Sequence, residues 1–285
     1  GRMKQKILTL QTLYREGQIQ LKDSGIEEYQ LDAWYLLEYV TGISKASYYG
    51  DPNRELSAAQ AEEYRKCIEK RSERIPLQHI TGVQEFMGHE FFVNEHVLIP
   101  RQDTEILVEH ALDKVEDGKK VLDMCTGSGC ILLSILKRYQ VQGTGADISS
   151  EALQVAERNR KHLALPQVEW LQSDLFEKIE EKYDVIVSNP PYIQTGVIES
   201  LQEEVRLHDP YIALDGKEDG LYFYRRIIED AKAYLEDGGW LLFEIGYDQA
   251  EPVTRLMEQA GYSEIHVKKD LSGLDRVAGA RYNKN

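Results

Sequence analysis

Val121-Leu122-Asp123-Met124-Cys125-Thr126-Gly127-Ser128-Gly129 decides the fold: an apolar run of strand length enters a glycine-rich turn, and the apolar residues after it open a helix. From Lys120 onward the same alternation of short apolar runs with helical segments recurs, which is the pattern of a doubly wound α/β sheet. Strands are expected at Val121 to Cys125, Gly143 to Ile148, Val168 to Gln172, Tyr183 to Ser188 and Trp240 to Ile245. Helices are expected near Gly129 to Tyr139, Ser150 to His162, Gly220 to Leu235 and Gln249 to Ala260. Glu264 to Lys268 and Arg276 to Tyr282 follow with no helix between them, so they should pair antiparallel and complete a mostly parallel seven-stranded sheet.

The turn itself limits the ligand. Gly127 and Gly129 let the backbone approach a bound molecule, and the helix start offers unpaired N–H groups. A dinucleotide fingerprint needs another glycine at the position of Leu132, which disfavours a pyrophosphate. Asp123 lies at the approach to the loop, Asp147 ends the next strand where a carboxylate can accept ribose hydroxyls, and Asp174 ends the third. Any one of these acids could be a solvated strand-end residue. Three at the carboxyl ends of adjacent strands describe an acid-lined crevice, which suits a cationic cofactor with a free ribose. S-adenosyl-L-methionine, with its sulfonium and α-ammonium, is such a molecule.

The fourth strand ends in Ser188-Asn189-Pro190-Pro191-Tyr192. Two prolines can simply terminate a strand, but here they follow an amide and precede an aromatic ring beside the cofactor crevice. A planar amide nitrogen is a poor nucleophile because its lone pair is delocalised. The Asn189 side-chain carbonyl and the Pro190 main-chain carbonyl can each accept one N–H of an –NH₂ group and support the charge its nitrogen gains. The rigid Pro190-Pro191 step fixes that carbonyl's direction, and Tyr192 can pack its ring on a flat substrate group.

The chain has 285 residues, enough for about two domains. From Met3 to about Arg74 the pattern is helical, with Ile7, Leu10, Leu13 and Tyr14, then Leu31, Trp34, Tyr35 and Leu37, at helical spacing. Ser57 and Gln60 have the spacing of a capping box for a helix to about Glu73. Between Ile75 and Pro100, Gly82, Gly88 and the runs at Phe92 and Val97 to Ile99 suggest a β-hairpin joining two domains. Asp103 then can cap a helix to about Val115. The organisation expected is therefore a helical domain at 3–74, a hairpin linker at 75–100 and an α/β domain at 101–285.

Lys plus Arg is 34 against 49 for Asp plus Glu, a net charge of −15. A chain this acidic, with a pI near 5.0, is not built for stable nucleic-acid binding. Cys67, Cys125 and Cys130 are odd in number and lack CxxC spacing, as expected of a reducing cytoplasm rather than of a disulfide framework or zinc site. The seven histidines show no metal-binding pattern, so no metal is expected. No apolar stretch reaches the roughly 20 residues of a membrane span, and no signal peptide opens the chain, where Gly1 and Arg2 ahead of Met3 read as an expression remnant. The sequence does not set the oligomeric state, for which a monomer is the expectation.

Together, Asn189 to Tyr192, the Asp123 to Gly129 loop, Ile80-Thr81-Gly82-Val83-Gln84-Glu85-Phe86, Leu98 to Glu105, Ala213-Leu214-Asp215-Gly216 with Asp219-Gly220-Leu221, and Glu244-Ile245-Gly246 with Gln249 resemble the bacterial HemK/PrmC family over nearly the whole chain. Those proteins are S-adenosylmethionine-dependent protein-(glutamine-N5) methyltransferases acting on the Gly-Gly-Gln motif of class I peptide chain release factors. The resemblance implies a class I methyltransferase fold. It also implies that Cys125, Thr126, Gly127, Ser128 and Gly129 line the methionine end of the cofactor, that Asp147 holds the ribose and Leu175, after Asp174, flanks the adenine, and that Asn189 to Tyr192 hold the substrate glutamine. Cys125 stands where the family usually has its first loop glycine, and Gln102 where it usually has proline. Related enzymes methylate a glutamine of a ribosomal protein, and N6-adenine DNA methyltransferases share the Asn-Pro-Pro-Tyr tetrapeptide. Arg101, between hairpin and α/β domain, suits a helix-start salt bridge as well as a substrate contact.

Overall fold

The computed structural model describes residues 8–285 and separates them into two units. Ile7, which the helical periodicity included, lies outside the described residues. The first unit runs to Gly82 and takes in the distant segment Glu203–His208. It contains α1 (Leu10–Asp23), α2 (Tyr29–Thr41), α3 (Lys45–Gly50), α4 (Ala58–Ser72) and α5 (Leu77–Thr81). Thr9 and Thr12 close a reciprocal capping box on α1. At α4 only half of the expected box forms: Ser57 Oγ accepts from Gln60 N at 3.1 Å, with no return bond among the described residues. The core is Leu10, Leu13, Trp34, Leu36, Leu37, Tyr64 and Ile68. Leu31 and Tyr35, expected on the buried face of α2, are exposed, because the helix turns Leu36 inward instead. Arg71 is buried in this unit with its guanidinium on Asp32 Oδ2 at 2.9 Å and on Glu204 Oε2 at 3.1 Å.

The second unit is Val83–Gln202 with Asp209–Asn285. It opens with a hairpin of β1 (Val83–Phe86) and β2 (His89–Phe92), turned through Met87 and Gly88, both at positive φ. The hairpin is thus shorter than the texture change suggested: α5 precedes it, and Val97 to Ile99 is not a strand. Asn159, fully buried, joins it to the glycine turn. Its amide donates to Phe92 O and Ser128 O, and its carbonyl accepts from Phe92 N at 2.6 Å.

α6 (Gln102–Leu112) starts from Arg101, so Asp103 sits in its first turn rather than at its cap. Then follow β3 (Lys120–Met124), α7 (Cys130–Leu136), β4 (Gln142–Asp147), α8 (Ser150–His162), β5 (Glu169–Gln172), a 3-10 turn at Leu175–Lys178 and β6 (Tyr183–Ser188). Beyond β6 come α9 (Thr195–Ile198), α10 (Glu203–His208) and α11 (Tyr211–Leu214), three short helices in a stretch whose polar and apolar residues follow no helical period long enough to read. α12 (Tyr222–Ala231), β7 (Leu235–Glu244), α13 (Ala250–Gln259), β8 (Ser263–Lys269) and β9 (Asp275–Arg281) complete the chain.

The seven strands lie in the order β5-β4-β3-β6-β7-β9-β8. β3 to β7 are parallel, and β9 runs antiparallel to both β7 and β8, as the missing helix between β8 and β9 implied for that pair. Alternate residues of the central strands feed opposite faces: Leu122, Ile186, Leu241 and Phe243 enter one core, Val121, Val185, Val187 and Leu242 the other. No helix among the described residues is long and apolar enough to cross a membrane.

Candidate active site

The order of strand addition reverses between β3 and β6, with β4 and β5 on one side and β7 on the other, and ligands of open α/β sheets bind at such a switch point. The register brings the two sequence motifs together there. Met124 pairs with Ser188, so Cys125 and Asn189 leave neighbouring strands side by side. Ser188 Oγ donates to Met124 O at 2.6 Å and ties the two exits.

The turn after β3 is held from beneath. Asp123 is fully buried, and its Oδ2 accepts from Thr126 Oγ1 at 2.7 Å and from Leu132 N at 3.3 Å. Burial outweighs those bonds and pushes its carboxyl up to about 7. Asp147, at the end of β4, accepts from Gly127 N at 2.9 Å through Oδ2 and from Ser149 N at 3.0 Å through Oδ1. Each oxygen keeps lone-pair capacity for a further donor. Burial raises its carboxyl as well, against the pull of those backbone N–H groups. Cys125 adopts φ 64°, the left-handed region that the usual glycine would enter freely. Its thiol is pushed well up by burial, so it is protonated at neutral pH and is no nucleophile.

A cavity of about 280 Å³ opens over these exits, at the small end of the range for ligand sites. Of the residues singled out from sequence, Cys125, Thr126, Gly127, Ser128, Asp147, Asp174, Leu175, Asn189 and Pro191 border it; Asp123, Gly129, Pro190 and Tyr192 do not. Gly129 serves packing: at φ 81°, a Cβ there would stand 3.1 Å from Ala156 Cβ and 3.2 Å from Trp170. Asp174 lies beyond the end of β5, and Leu175, at φ 52°, is buried.

Asn189 Oδ1 is buried and has no hydrogen-bond partner among the described residues. An orphaned buried acceptor costs about 1–3 kcal/mol. Tyr192, by contrast, is fully engaged. Its hydroxyl donates to Glu244 Oε2 at 3.0 Å, its carbonyl accepts from Gln249 Nε2 at 3.0 Å, and its ring packs against the core. The separated motifs converge on this residue: a Cβ at Gly216 would come within 2.8 Å of the Tyr192 backbone, and one at Gly220 within 2.6 Å of its carbonyl oxygen.

The lining is not purely acidic, as the strand-end acids had suggested. Arg101, Lys217 and Arg226 also border the cavity. Each cation has a carboxylate partner: Arg101 on Asp209 at 2.9 Å, Lys217 near Asp215 at 3.6 Å and Arg226 on Asp174 at 3.3 Å. Asp209 is pushed up to about 6 by its burial, even with Arg101 beside it. Asp147 is left as the bordering carboxylate with no ion pair among the described residues. Arg101 therefore both forms the helix-start ion pair and faces the cavity. Beyond the residues singled out as site candidates, the His96 to Pro100 stretch, Ile212 and Ala213 of α11, and Tyr222, Phe223 and Arg226 on one side of α12 border the cavity; of these, Leu98 to Pro100 and Ala213 are legible in the sequence as parts of the family resemblance. Tyr222 and Arg226 stand one turn apart on this helix, a spacing present in the sequence.

Comparison with known proteins agrees with this architecture. Residues 12–82 match a model described as PrmC N-terminal domain, and residues 101–206 one described as methyltransferase small domain. The chain is 40% identical over 264 residues to a release factor glutamine methyltransferase of Geobacter sulfurreducens, covering 92% of each chain. It is 42% identical over 264 residues to a release factor glutamine methyltransferase of Clostridium acetobutylicum, covering 90% of this chain and 93% of that one. Among solved structures, a methyltransferase from Pyrococcus furiosus superposes with a TM-score of 0.52 at 17% identity, covering 68% of this chain and 88% of that one, a likeness of fold alone.

Proposed function

The chain belongs to the release factor glutamine methyltransferase family, and on that footing we propose that it transfers a methyl group from S-adenosyl-L-methionine to the side-chain amide nitrogen of the glutamine in the Gly-Gly-Gln motif of class I peptide chain release factors. The observation that carries this reading is Asn189, which borders the cavity above the glycine turn and whose buried side-chain Oδ1 has no hydrogen-bond partner among the described residues. An unpartnered amide oxygen calls for a donor, and the primary amide of a glutamine supplies one.

The residues present fit the cofactor. Asp147, with spare lone pairs and no cation partner, would hold the ribose hydroxyls; the backbone of Cys125 to Ser128, which borders the cavity, would line the methionine end, with Gly127 open to close approach, since a Cβ there would meet nothing within 4 Å. Leu175 and Asp174, also at the cavity, would flank the adenine. Bound there, S-adenosylmethionine supplies an electrophilic methyl on a sulfonium.

The chain's own part is to hold and polarise the amide. Asn189 Oδ1 accepts one N–H, the Pro190 carbonyl accepts the other, and the two acceptors stabilise positive charge as it grows on the nitrogen. Proline has no backbone N–H, so neither Pro190 nor Pro191 sets a donor beside the Pro190 carbonyl. Orientation of this kind supplies about 7–11 kcal/mol of a barrier without a strong base. Asp123 and Gly129 act below the surface, fixing the loop.

We further propose that the N-terminal segment, residues 3–74, helical in its described part, with the hairpin region 75–100 following, recognises the protein substrate, and that the enzyme works as a cytoplasmic monomer without stable nucleic-acid binding. The net charge of −15 supports attraction to a basic partner, and affinity that falls steeply with salt is the expected sign.

Transfer of a labelled methyl group to purified release factor tests the main reading. Wild-type protein incorporates label, and Asn189→Ala, still folded, loses roughly a hundredfold or more of the rate. Absence of label in the release factor with wild-type enzyme overturns the assignment.

A further inference from the structure

Glu244 is 3% exposed and ends β7, the strand next to β6. Because Phe243 pairs with Ser188, Glu244 leaves its strand beside Asn189. Its Oε2 accepts from Tyr192 Oη at 3.0 Å, and its Oε1 accepts from Thr104 Oγ1. No Lys or Arg forms an ion pair with it among the described residues. A carboxylate buried on two neutral hydroxyl donors costs the fold more than an apolar side chain of that size would. Nothing in the transfer described above employs it directly, and it does not border the cavity.

What its carboxylate does hold is Tyr192. That ring, rather than lying along the cavity as a platform, is packed against the core, and both its ends are fastened: the hydroxyl on Glu244, the carbonyl on Gln249, whose own Oε1 accepts from Gly246 N at 2.8 Å. Both fasteners come from the end of β7 and the loop after it. Tyr192 lies three residues from Asn189 across two prolines, each with φ locked by its ring. A displacement of Tyr192 is therefore passed along a stiff segment to the Asn189 backbone, which carries the amide side chain.

We propose that Glu244 is a positioning residue for methyl transfer: its carboxylate anchors the Tyr192 phenol in the core, and the anchored ring sets the direction in which Asn189 presents its carbonyl to the substrate amide. The proposal rests on Asn189 being the amide acceptor. It assigns to Tyr192 the work of an anchor and to Glu244 that of the anchor's seat.

The test compares wild type, Glu244→Gln, Tyr192→Phe and the double variant in labelled methyl transfer to release factor, with S-adenosylmethionine affinity measured by calorimetry. Gln keeps the shape but offers one neutral acceptor oxygen to the two hydroxyls that donate to Glu244; Phe keeps the ring and deletes only its hydroxyl. Each single variant is expected to lose about tenfold or more in kcat, the cost of a misplaced acceptor, while KM for release factor and Kd for the cofactor stay within about twofold. The double variant should be no slower than the slower single one, because both substitutions break one link. An unchanged kcat in Glu244→Gln, losses that multiply in the double variant, or a cofactor Kd that rises in step with the loss of kcat each overturn the proposal. If Glu244→Gln does not fold, Tyr192→Phe alone decides, and full activity in it overturns the idea. Wild-type enzyme that transfers nothing to release factor defeats the functional reading itself, a result distinct from active wild type with indifferent variants.

Discussion

The two turns that meet at the switch point are built in opposite ways. The turn after β3 is fastened by near neighbours: Asp123 to Thr126 and Leu132 within one stretch, and Gly127 to Asp147 on the adjacent strand. The turn after β6 is fastened by remote ones. Thr104, Gly216, Gly220, Glu244 and Gln249 all meet around Tyr192 or its partner, and they come from separate segments of the chain. A locally fastened loop tolerates change elsewhere in the fold. A remotely fastened turn registers the correct assembly of the whole second unit before its acceptor is aimed.

The largest break in this contrast should come from Gly220→Ala. Gly220 sits at φ 77°, and its Cβ would stand 2.6 Å from Tyr192 O. Neither backbone can yield without moving the turn, so strain and overpacking together should cost about 3 kcal/mol or more. Chemical unfolding should show that loss, and methyl transfer should fall further than stability alone explains. Stability within about 0.5 kcal/mol of wild type would mean the turn is looser than its packing indicates.

The same contrast explains what was legible in the sequence. The strand, glycine turn and helix at Val121 to Leu136 could be read because the signal is contiguous: an apolar run, positive-φ glycines, then an apolar helix. The mostly parallel sheet followed from alternation, and the antiparallel end from the missing helix before β9. Asn189 was legible as an acceptor because its chemistry lies in one side chain. Tyr192 reads from sequence as a platform for the substrate, and nothing in its own neighbourhood discloses that Glu244 and Gln249 fasten its hydroxyl and its carbonyl. Gly216, Gly220, Glu244 and Gln249 were noticed only as parts of a resemblance, and their common purpose appears once the chain is folded. Likewise Asp123 and Asp147 look equivalent as strand-end acids. Only burial separates the one beneath the loop from the one at the cavity.

That separation is sharpened by pH. Asp123, pushed up to about 7 from 3.8, keeps its proton in the folded state where the unfolded chain has released it. The folded state then binds more protons, so stability falls as pH rises between those values, by at most about 1.4 kcal/mol per pH unit. Above about 7 both states are ionised and the dependence ends. Asp123→Asn lacks the group. Denaturant titrations should therefore show the stability difference between wild type and variant shifting toward the variant by about 2 kcal/mol from pH 5 to pH 7, then levelling. A parallel pair of curves would mean Asp123 is ionised throughout and the loop rests on a charged carboxylate.

The smallest effect discriminates most finely, because it concerns backbone alone. At ordinary positions alanine is more stable than glycine by about 0.5–1 kcal/mol, since glycine loses more freedom on folding. Cys125, at φ 64°, is a place where that order should reverse: the left-handed conformation costs a residue bearing Cβ about 1–2 kcal/mol, which glycine avoids. Cys125→Gly and Cys125→Ala both delete the sulfur and its contact with the core, so the lost packing cancels between them. Urea midpoints should accordingly place Cys125→Gly above Cys125→Ala by about 0.5–1 kcal/mol. The normal order, alanine above glycine, would mean that the loop relaxes away from positive φ when the thiol is gone, and that its fastening to Asp123 and Asp147 is weaker than the hydrogen bonds imply.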